Sequence, residues 1–429
     1  MSELTQAISN PMDSCNYKSM SGVQISRVSI QPENRTEVQL TQGNTCDIFF
    51  SLPSRPDTFF NGAGSYLSFT YSFDSPLCTL AGAETVSVAN GNPASFFSCL
   101  ETTANSTQIE LINDYGVFAS LVDDFQSYDR STKLGSILQD KSTIANKKGF
   151  DRTVAAQGIE RRVCIPLLSI FGTLSDKYIP VGKDCGFRLR LTCADPLIAL
   201  VSNAAGSLGY RLRDLSWECE YLTVPTNIYN SIQSESGGVF KVSGTGIGSF
   251  GANGPAQLTA QTILIPARYS SVRNFMTINR TSANLTAKSE NSLGSRCRDN
   301  INSYVYRISG QNFPQLPVVC DAYTSAEAMT EVIKCWHGHA DLNLAVNFDR
   351  DAYVHNTGSG GAQGAFVMGI NFEESGFSSS QMSGKNTTSG NTFLDIGYSQ
   401  ASTATTFTTF AFYDMIMEIT GNGEVLVSK

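Results

Sequence analysis

The segment Phe187–Cys193, FRLRLTC, constrains the fold of this chain more than any other. Apolar side chains occupy every second position along it, and arginine or threonine occupies each position between them. A period of two residues is the signature of a β-strand that has one face in a hydrophobic core. Leu189 is therefore predicted to point into a core, and its neighbour Arg190 is predicted to point away from it.

Two Ile-Pro pairs precede this strand, at Ile165-Pro166 and Ile179-Pro180. Proline cannot donate a hydrogen bond to a sheet, so each pair is predicted to lie at a strand end or on a sheet edge. The apolar segment Leu167–Leu174 between them is interrupted by Gly172 and is too short to span a membrane. We predict an edge strand, then a compact turn packed on the core, then the buried strand.

Alternating segments predict strands throughout both halves of the chain. The clearest are Tyr66–Phe73 and Tyr210–Val224 in the first half and Phe407–Ile419 in the second, which a glycine-containing turn joins to a closing strand at Glu424–Val427. Each half contains about eight predicted strands, the number in a jelly roll. The 36 glycines favour many turns, so the predicted fold class is all-β.

Two segments depart from the β pattern. Apolar residues recur at helical spacing within Asp114–Gln139, where Asn113 or Asp114 is predicted to cap the helix. A short helical turn is predicted within residues 324–332, with Ser325 as its cap. The all-β fold is therefore expected to carry a few short helices in long loops.

The chain divides into an arm and two halves. Residues 1–22 are polar and unpatterned, and they are predicted to form an N-terminal arm that neighbouring molecules order. The best candidate for a linker is Pro225–Gln233. We predict a first domain over residues 23–232 and a second over residues 233–429, the latter beginning with a strand at Val239–Val242 and a glycine-rich turn.

Two stretches carry a resemblance to a known family. The first combines IPLLSIFG at Ile165–Gly172 and KYIPVG at Lys177–Gly182 with the RLRLT strand, and the second is TILIPARYSSVRNFMTINR at Thr262–Arg280. In this order and at this separation they resemble the double jelly-roll major capsid proteins of virophages, polinton-like viruses and the adenovirus-hexon lineage of DNA viruses. The matching stretches cover a minority of the chain and contain no active-site motif.

The resemblance implies a structural protein of the virion with two consecutive jelly rolls standing side by side. Three such chains would form a homotrimer with a six-lobed outline, a pseudo-hexagonal capsomer that tiles an icosahedral shell. It also implies contacts with neighbouring capsomers, penton and minor capsid proteins, after folding and assembly inside the host cell. An enzymatic activity is not expected.

The charge of the chain disfavours direct binding to nucleic acid. Its formal net charge is −8 and its basic pairs are only Lys147-Lys148 and Arg161-Arg162, which we interpret as solvated pairs on loops or strand ends. Neutralising phosphates needs clustered lysine and arginine. We therefore expect no sequence-specific nucleic-acid binding and no packaging of a genome by a basic arm.

The cysteines indicate folding in a reducing compartment. The chain has 11 of them, an odd number, scattered without a CxxC motif. The N-terminus lacks the basic and apolar regions of a signal peptide, and no segment has the length of a transmembrane helix. Most of the cysteines are expected to be free thiols.

The cluster CWHGH offers the best set of metal-ligating atoms. If Val332–Trp336 and residues 341–348 are strands, as their patterns predict, Cys335, His337 and His339 share one face, and Asp341 is a possible fourth ligand. The remaining histidine is His355. This spacing allows a metal site but does not require one. We therefore favour a strand whose histidines are exposed or hydrogen-bonded, and we predict no metal site and no cofactor.

Other motifs have weaker claims to chemistry. Gly246–Gly251 matches GxGxxG, but a turn rather than a helix is predicted after it, and the dinucleotide fingerprint needs a helix there. The carboxylate pairs Asp123-Asp124 and Glu373-Glu374 are interpreted as solvated charges rather than a glycosidase pair. There is no GxSxG motif of a serine hydrolase. No catalytic residue is therefore assigned.

Two other function classes remain open at this point. A carbohydrate-binding or adhesive β-sandwich protein would be expected to have a secretion signal and exposed aromatic platforms. A jelly-roll enzyme of the cupin type would need a histidine-rich metal motif, and the chain has three histidines.

Overall fold

The structure is a computed structural model that describes residues 22–127, 133–143, 148–175, 177–183, 185–336, 346–356, 364–373 and 384–429. The predicted arm lies almost entirely outside the described residues. So do Lys147 and Glu374.

The first half forms two sheets whose strands are far apart in sequence. Its strands are β1 (Gln24–Ile30), β2 (Val38–Thr41), β3 (Cys46–Ser51), β4 (Thr58–Ser72), β5 (Thr85–Val88), β6 (Phe97–Ala104), β7 (Thr107–Asn113), β8 (Lys141–Thr143), β9 (Lys148–Gly149), β10 (Arg152–Thr153), β11 (Arg161–Pro166), β12 (Ile179–Pro180), β13 (Phe187–Cys193), β14 (Leu200–Ser202) and β15 (Gly209–Thr223). The order β1-β15-β4-β11 builds one sheet, which β2 and β12 extend, and β3-β13-β6-β7 builds the other. The short strands form a separate sheet, β10-β5-β14, and the pair β8-β9.

The second half repeats this arrangement. Its strands are β16 (Val239–Gly254), β17 (Ala260–Ile265), β18 (Val272–Thr281), β19 (Ile301–Ile308), β20 (Gln311–Val319), β21 (Val367–Asn371), β22 (Thr392–Tyr398), β23 (Thr405–Thr420) and β24 (Val425–Ser428). One sheet has the order β16-β23-β18-β21, with β24 added beside β23, and the other has the order β17-β22-β19-β20. The eight main strands are β1, β3, β4, β6, β7, β11, β13 and β15 in the first half and β16 to β23 in the second. If these are numbered 1 to 8 along the chain, both halves have one sheet of order 1-8-3-6 and another of order 2-7-4-5. Each half is therefore a jelly roll, and the predicted fold class is confirmed.

Six α-helices accompany the strands in the described part of the chain. They are α1 (Tyr115–Asp124), α2 (Gly135–Leu138), α3 (Pro196–Ala199), α4 (Thr226–Glu235), α5 (Ala326–Trp336) and α6 (Arg350–Tyr353).

The strand that organises the first half has the predicted register. β13 lies inside its sheet, with β3 on one side and β6 on the other, and all its apolar side chains are buried. Leu189 lies opposite Phe50 of β3 and Thr102 of β6. Arg190 points to the other face, where its guanidinium is 2.8 Å from the Glu101 carboxylate.

The Ile-Pro pairs also lie where the sequence predicts them. Pro166 ends β11, the edge strand of its sheet, and Ile179-Pro180 form β12, which pairs with the outer end of β4. Between them the chain makes a tight turn, since a Cβ on Gly172 would overlap the carbonyl oxygen of Leu167. Only glycine fits this turn.

Two predictions about the second half were wrong, and one strand was not predicted. Val332–Trp336 is helical rather than extended, because Ala328, Val332 and Cys335 recur at helical spacing on the buried face of α5. The glycine-rich segment after Val242 continues as strand β16 through Gly254 and is not a turn. Strand β20 was not predicted, because it contains Pro314 and Pro317, which a sheet tolerates at its edge.

The predicted linker Pro225–Gln233 falls mostly within α4. Tyr229 and Ile232 are its buried residues. The Tyr229 ring packs 5.3 Å from that of Phe59 in β4 and 5.7 Å from that of Phe240 in β16. The connection between the halves is therefore a packed helix that contacts both jelly rolls.

Helix α1 forms the first part of the predicted long helix. Asp114 occupies its cap position, in a left-handed conformation with φ of 54°, and its side chain makes no capping hydrogen bond. The sequence predicted that the side chain of Asn113 or Asp114 caps this helix. Among the residues that the structure describes, no such capping hydrogen bond is formed. The later part of the predicted helix includes residues 128–132, which lie outside the described residues, and the short α2.

Candidate functional site

Contacts between the two jelly rolls form a polar and aromatic site in the described structure. Helix α1 of the first roll lies against β23 and α5 of the second. The Phe118 ring is 5.3 Å from Phe410 and 5.9 Å from Phe412, and the Phe125 ring is 4.9 Å from Trp336. We call these contacts, with those of β7 against β16, the inter-roll interface.

Strand β7 joins the interface through its last residues. The main-chain N–H of Asn113 donates to the hydroxyl of Ser249 in β16 at 2.9 Å. The amide side chain of Asn347 donates to the carbonyl oxygen of Asp123 at 2.8 Å, and its main-chain N–H donates to that of Asp124 at 2.9 Å. The carbonyl oxygens of Asp123 and Asp124, at the C-terminal end of α1, thus accept hydrogen bonds from the second half of the chain.

The carboxylates at the end of α1 are buried, so their interpretation as solvated charges was wrong. Asp123 pairs with Lys141 at 3.1 Å and accepts from the Asn92 amide at 2.7 Å. Asp124 forms an ion pair with Arg296, whose side chain is 1% exposed. The two adjacent carboxylates therefore bind separate cations, one from each half of the chain, and do not flank a common substrate.

Glu110 of β7 is a further buried carboxyl at the interface. The Ser169 hydroxyl donates to it at 2.7 Å and the Ile170 N–H at 3.2 Å. Burial raises the pKa of Glu110 to about 7, while these two hydrogen bonds and the charge of Lys429 act in the opposite direction. Nothing in the sequence analysis identified this residue. The only feature of the sequence that points to it is that a charged residue shares a strand face with the apolar Ile112.

The GxGxxG motif has a packing explanation. It lies within β16, paired along its length with β23, so it does not form the strand-to-helix turn that a dinucleotide requires. A Cβ on Gly246 would overlap the Tyr413 ring, and one on Gly248 would overlap the Tyr269 hydroxyl. These two rings stack with centroids 3.8 Å apart. The glycines make room for this stacked pair.

Of the side chains considered as metal ligands, the structure describes only Cys335 and His355. Cys335 is buried on α5, where its thiol lies 3.2 Å from the carbonyl oxygen of Glu331, while His337, His339 and Asp341 lie outside the described residues. The main-chain carbonyl of His355 accepts from Arg298. No group of three histidine, cysteine or acidic side chains within the described ranges has the geometry of a metal site.

The remaining predicted charges lie at sheet edges. Arg161 and Arg162 begin β11, and Arg161 is 3.1 Å from the buried carboxylate of Asp140. Glu373 pairs with Arg273 of β18. Among the helices that the structure describes, none is long and apolar enough to cross a membrane.

The chain was compared with known proteins. No protein-family model and no curated protein matches it. Among solved structures, it is similar to the Faustovirus major capsid protein, with a TM-score of 0.62 and 9% identity over 94% of this chain and 92% of that one. It is equally similar to VP54 of PBCV-1, fitted into a reconstruction of the virophage Sputnik, with a TM-score of 0.60 and 9% identity over 96% of this chain and 97% of that one.

A chain in the cryo-EM structure of the Sputnik virophage gives a TM-score of 0.57 at 10% identity, over 95% of this chain and 89% of that one. At such low identity these similarities concern the fold. They agree with the repeated strand order of the two halves and confirm the resemblance on which the fold was predicted. The chain has a double jelly-roll fold, which it shares with these viral proteins, among them the Faustovirus major capsid protein.

Proposed function

We propose that this protein is a major capsid protein with a structural rather than an enzymatic role. The observation that carries the proposal is the repetition of one jelly-roll strand order in both halves, joined by a buried interface. A shell subunit must hold its two lobes in a fixed relation, and buried aromatic and ionic contacts do so. Among the solved structures with the same fold, the Faustovirus protein is named as a major capsid protein.

Within this proposal, three chains form a homotrimeric, pseudo-hexagonal capsomer that tiles an icosahedral shell. Closed cyclic symmetry is the usual solution for such oligomers. Its partners would be neighbouring capsomers, penton and minor capsid proteins, and its location the virion after folding in the host cell. We divide the chain into an arm at 1–22 and jelly rolls at 23–232 and 233–429, with the boundary inside α4.

The exposed edge strand β20 is a candidate for subunit contacts. Leu316 is 77% exposed and Val319 is 39% exposed on this strand, and the nearby Tyr323 is 89% exposed. Large apolar side chains grouped in this way are typical of surfaces that another protein covers. We assign β20 to an interface between copies of the chain.

Electron microscopy of the purified full chain tests this function. The wild-type chain should give six-lobed particles, and Leu316→Lys should reduce their number while leaving the melting temperature unchanged. Gln315→Lys is the matched control, since it adds the same charge at the neighbouring exposed position, where no apolar side chain is lost. Single two-lobed particles from the wild type at all concentrations would contradict the proposal, as would specific binding of a glycan.

A further inference from the structure

A cavity of about 120 Å³ lies between the two jelly rolls, beside the N-terminus of α1. The first roll contributes Ser98, Gly116 and Val117 to its lining, and the second contributes Arg280 and Ser292. The cavity belongs to none of the motifs considered above. Arg280 is the cationic side chain of this lining, and Asp114 is its acidic one.

Arg280 is a buried cation with unused hydrogen-bonding capacity. Its side chain lines the cavity and the residue is 6% exposed. One terminal nitrogen donates to the carbonyl oxygen of Ser292 at 3.0 Å and the other to the hydroxyl of Thr408 at 3.1 Å. Its Nε–H has no partner in the part of the chain that the structure describes. Both acceptors are uncharged.

The positive charge of Arg280 has no ion-pair partner among the residues that the structure describes. Burial lowers the pKa of Arg280, and the attraction of Asp114 opposes that effect. Asp114 is exposed at the cavity lining and forms no salt bridge with Arg280 in the described structure. A buried charge that no carboxylate contacts within the described residues is costly, and the exposed carboxylate of Asp114 offsets it only in part, so the site favours an anion.

The start of α1 adds a second source of positive potential. Phe118 is the first residue whose N–H donates to a carbonyl of the helix, that of Asp114, at 3.0 Å. The N–H groups of the residues before it have no acceptor within the helix, and Asp114 supplies no side-chain cap. Gly116 and Val117, which carry two of these groups, line the same cavity as Arg280.

We propose that this cavity binds a small tetrahedral oxyanion, phosphate or sulfate, which bridges the two jelly rolls. Arg280 Nε–H and the first-turn N–H groups of α1 would donate to its oxygens. The hydroxyls of Ser98 and Ser292 already donate to carbonyl oxygens, those of Thr192 and Ile198, so they are not the principal donors. Because the ligand contacts both rolls, its binding should stabilise their association.

Equilibrium dialysis of the purified full chain against radiolabelled phosphate, and separately against sulfate, tests the site. We expect saturable binding of one anion per chain at millimolar concentration or below, and a higher melting temperature in phosphate than in chloride of equal ionic strength. Ser98→Asp places a negative charge in the lining and should weaken binding at least tenfold. Ser98→Asn introduces a side chain of the same shape as aspartate but without its charge, so this variant should bind phosphate as the wild type does.

A second variant separates binding from folding. Arg280→Lys keeps the charge but removes Nε–H, so it should bind phosphate at least tenfold more weakly while its circular dichroism spectrum stays native. The proposal is overturned if the wild type binds neither oxyanion at millimolar concentration. It is also overturned if chloride stabilises the protein as much as phosphate, or if Ser98→Asp and Ser98→Asn bind phosphate equally.

Discussion

The carboxylate of Asp124, at the end of α1 in the first jelly roll, forms a buried ion pair with the guanidinium of Arg296 in the second. Breaking a buried pair leaves an uncompensated charge. Asp124→Asn should therefore destabilise the chain by about 3–5 kcal/mol. Asp124→Leu combined with Arg296→Met should cost less than Asp124→Asn alone, because neither charge then remains. Melting curves of the three proteins measure this, and a double variant less stable than the single one would show that the pair is not an electrostatic unit.

Leu189 and Arg190 are adjacent, and the register of β13 predicts opposite outcomes for their substitution. Leu189→Asp buries a carboxylate without a partner, which costs several kcal/mol, on the order of the stability of a domain, so it should abolish folding and assembly. Arg190→Ala removes a partly exposed contact with Glu101 and should cost about 1 kcal/mol or less. Soluble yield and melting temperature decide between them. If Arg190→Ala unfolds the chain and Leu189→Asp does not, the register is wrong by one residue.

Glu110 should make stability depend on pH. Its pKa is raised from 4.5 to about 7 in the folded chain, so between these values the folded state holds a proton that the unfolded state releases. Stability from this group is therefore present below pH 4.5 and is lost as pH rises to about 7. The hydrogen bonds from Ser169 and from the main chain of Ile170 and Ile247, and the charge of Lys429, lower this pKa but do not outweigh burial.

Glu110→Gln removes this titration. From pH 5 to pH 8 the wild type should lose on the order of 2–3 kcal/mol relative to the variant. Denaturant unfolding of both proteins at the two pH values measures the difference, in which the effects of other groups cancel. A difference that does not change with pH would mean that Glu110 titrates normally.

The glycines of β16 give a matched pair of substitutions. Gly248→Ala would force a Cβ against the Tyr269 hydroxyl and disturb its stacking on Tyr413, which should cost about 1–3 kcal/mol. Gly251→Ala adds a Cβ in open space on the same strand and should be neutral or slightly stabilising. Equal melting temperatures for the two variants would refute the packing explanation of the motif.

Strands with one buried face could be predicted from the sequence, and contacts between distant residues could not. The alternation in β13 and β15 is a local signal that burial in the sheet preserves. The short apolar segment Val332–Trp336 was misread as a strand, because its helical period appears only when Ala328 is included. Strand β20 was also missed for a local reason, because its prolines do not fit the sequence pattern of a strand.

The inter-roll interface shows the limit of sequence reasoning. Arg296 lies outside the named strands, and no pattern of spacing relates it to Asp124, 172 positions earlier in the chain. Asp123-Asp124 looks like a solvated pair because adjacent charges usually are. Only the packing of α1 against the second roll makes these residues buried. Arg280 is likewise identified by the lack of a contacting carboxylate among the described residues, which a sequence does not show.

Light scattering coupled to size-exclusion chromatography measures the oligomeric state of the purified full chain directly. A trimeric capsomer predicts a single species with three times the 46.3 kDa mass of one chain, stable on dilution to micromolar concentration. A persistent 46.3 kDa monomer at that concentration would contradict the proposed capsid building block.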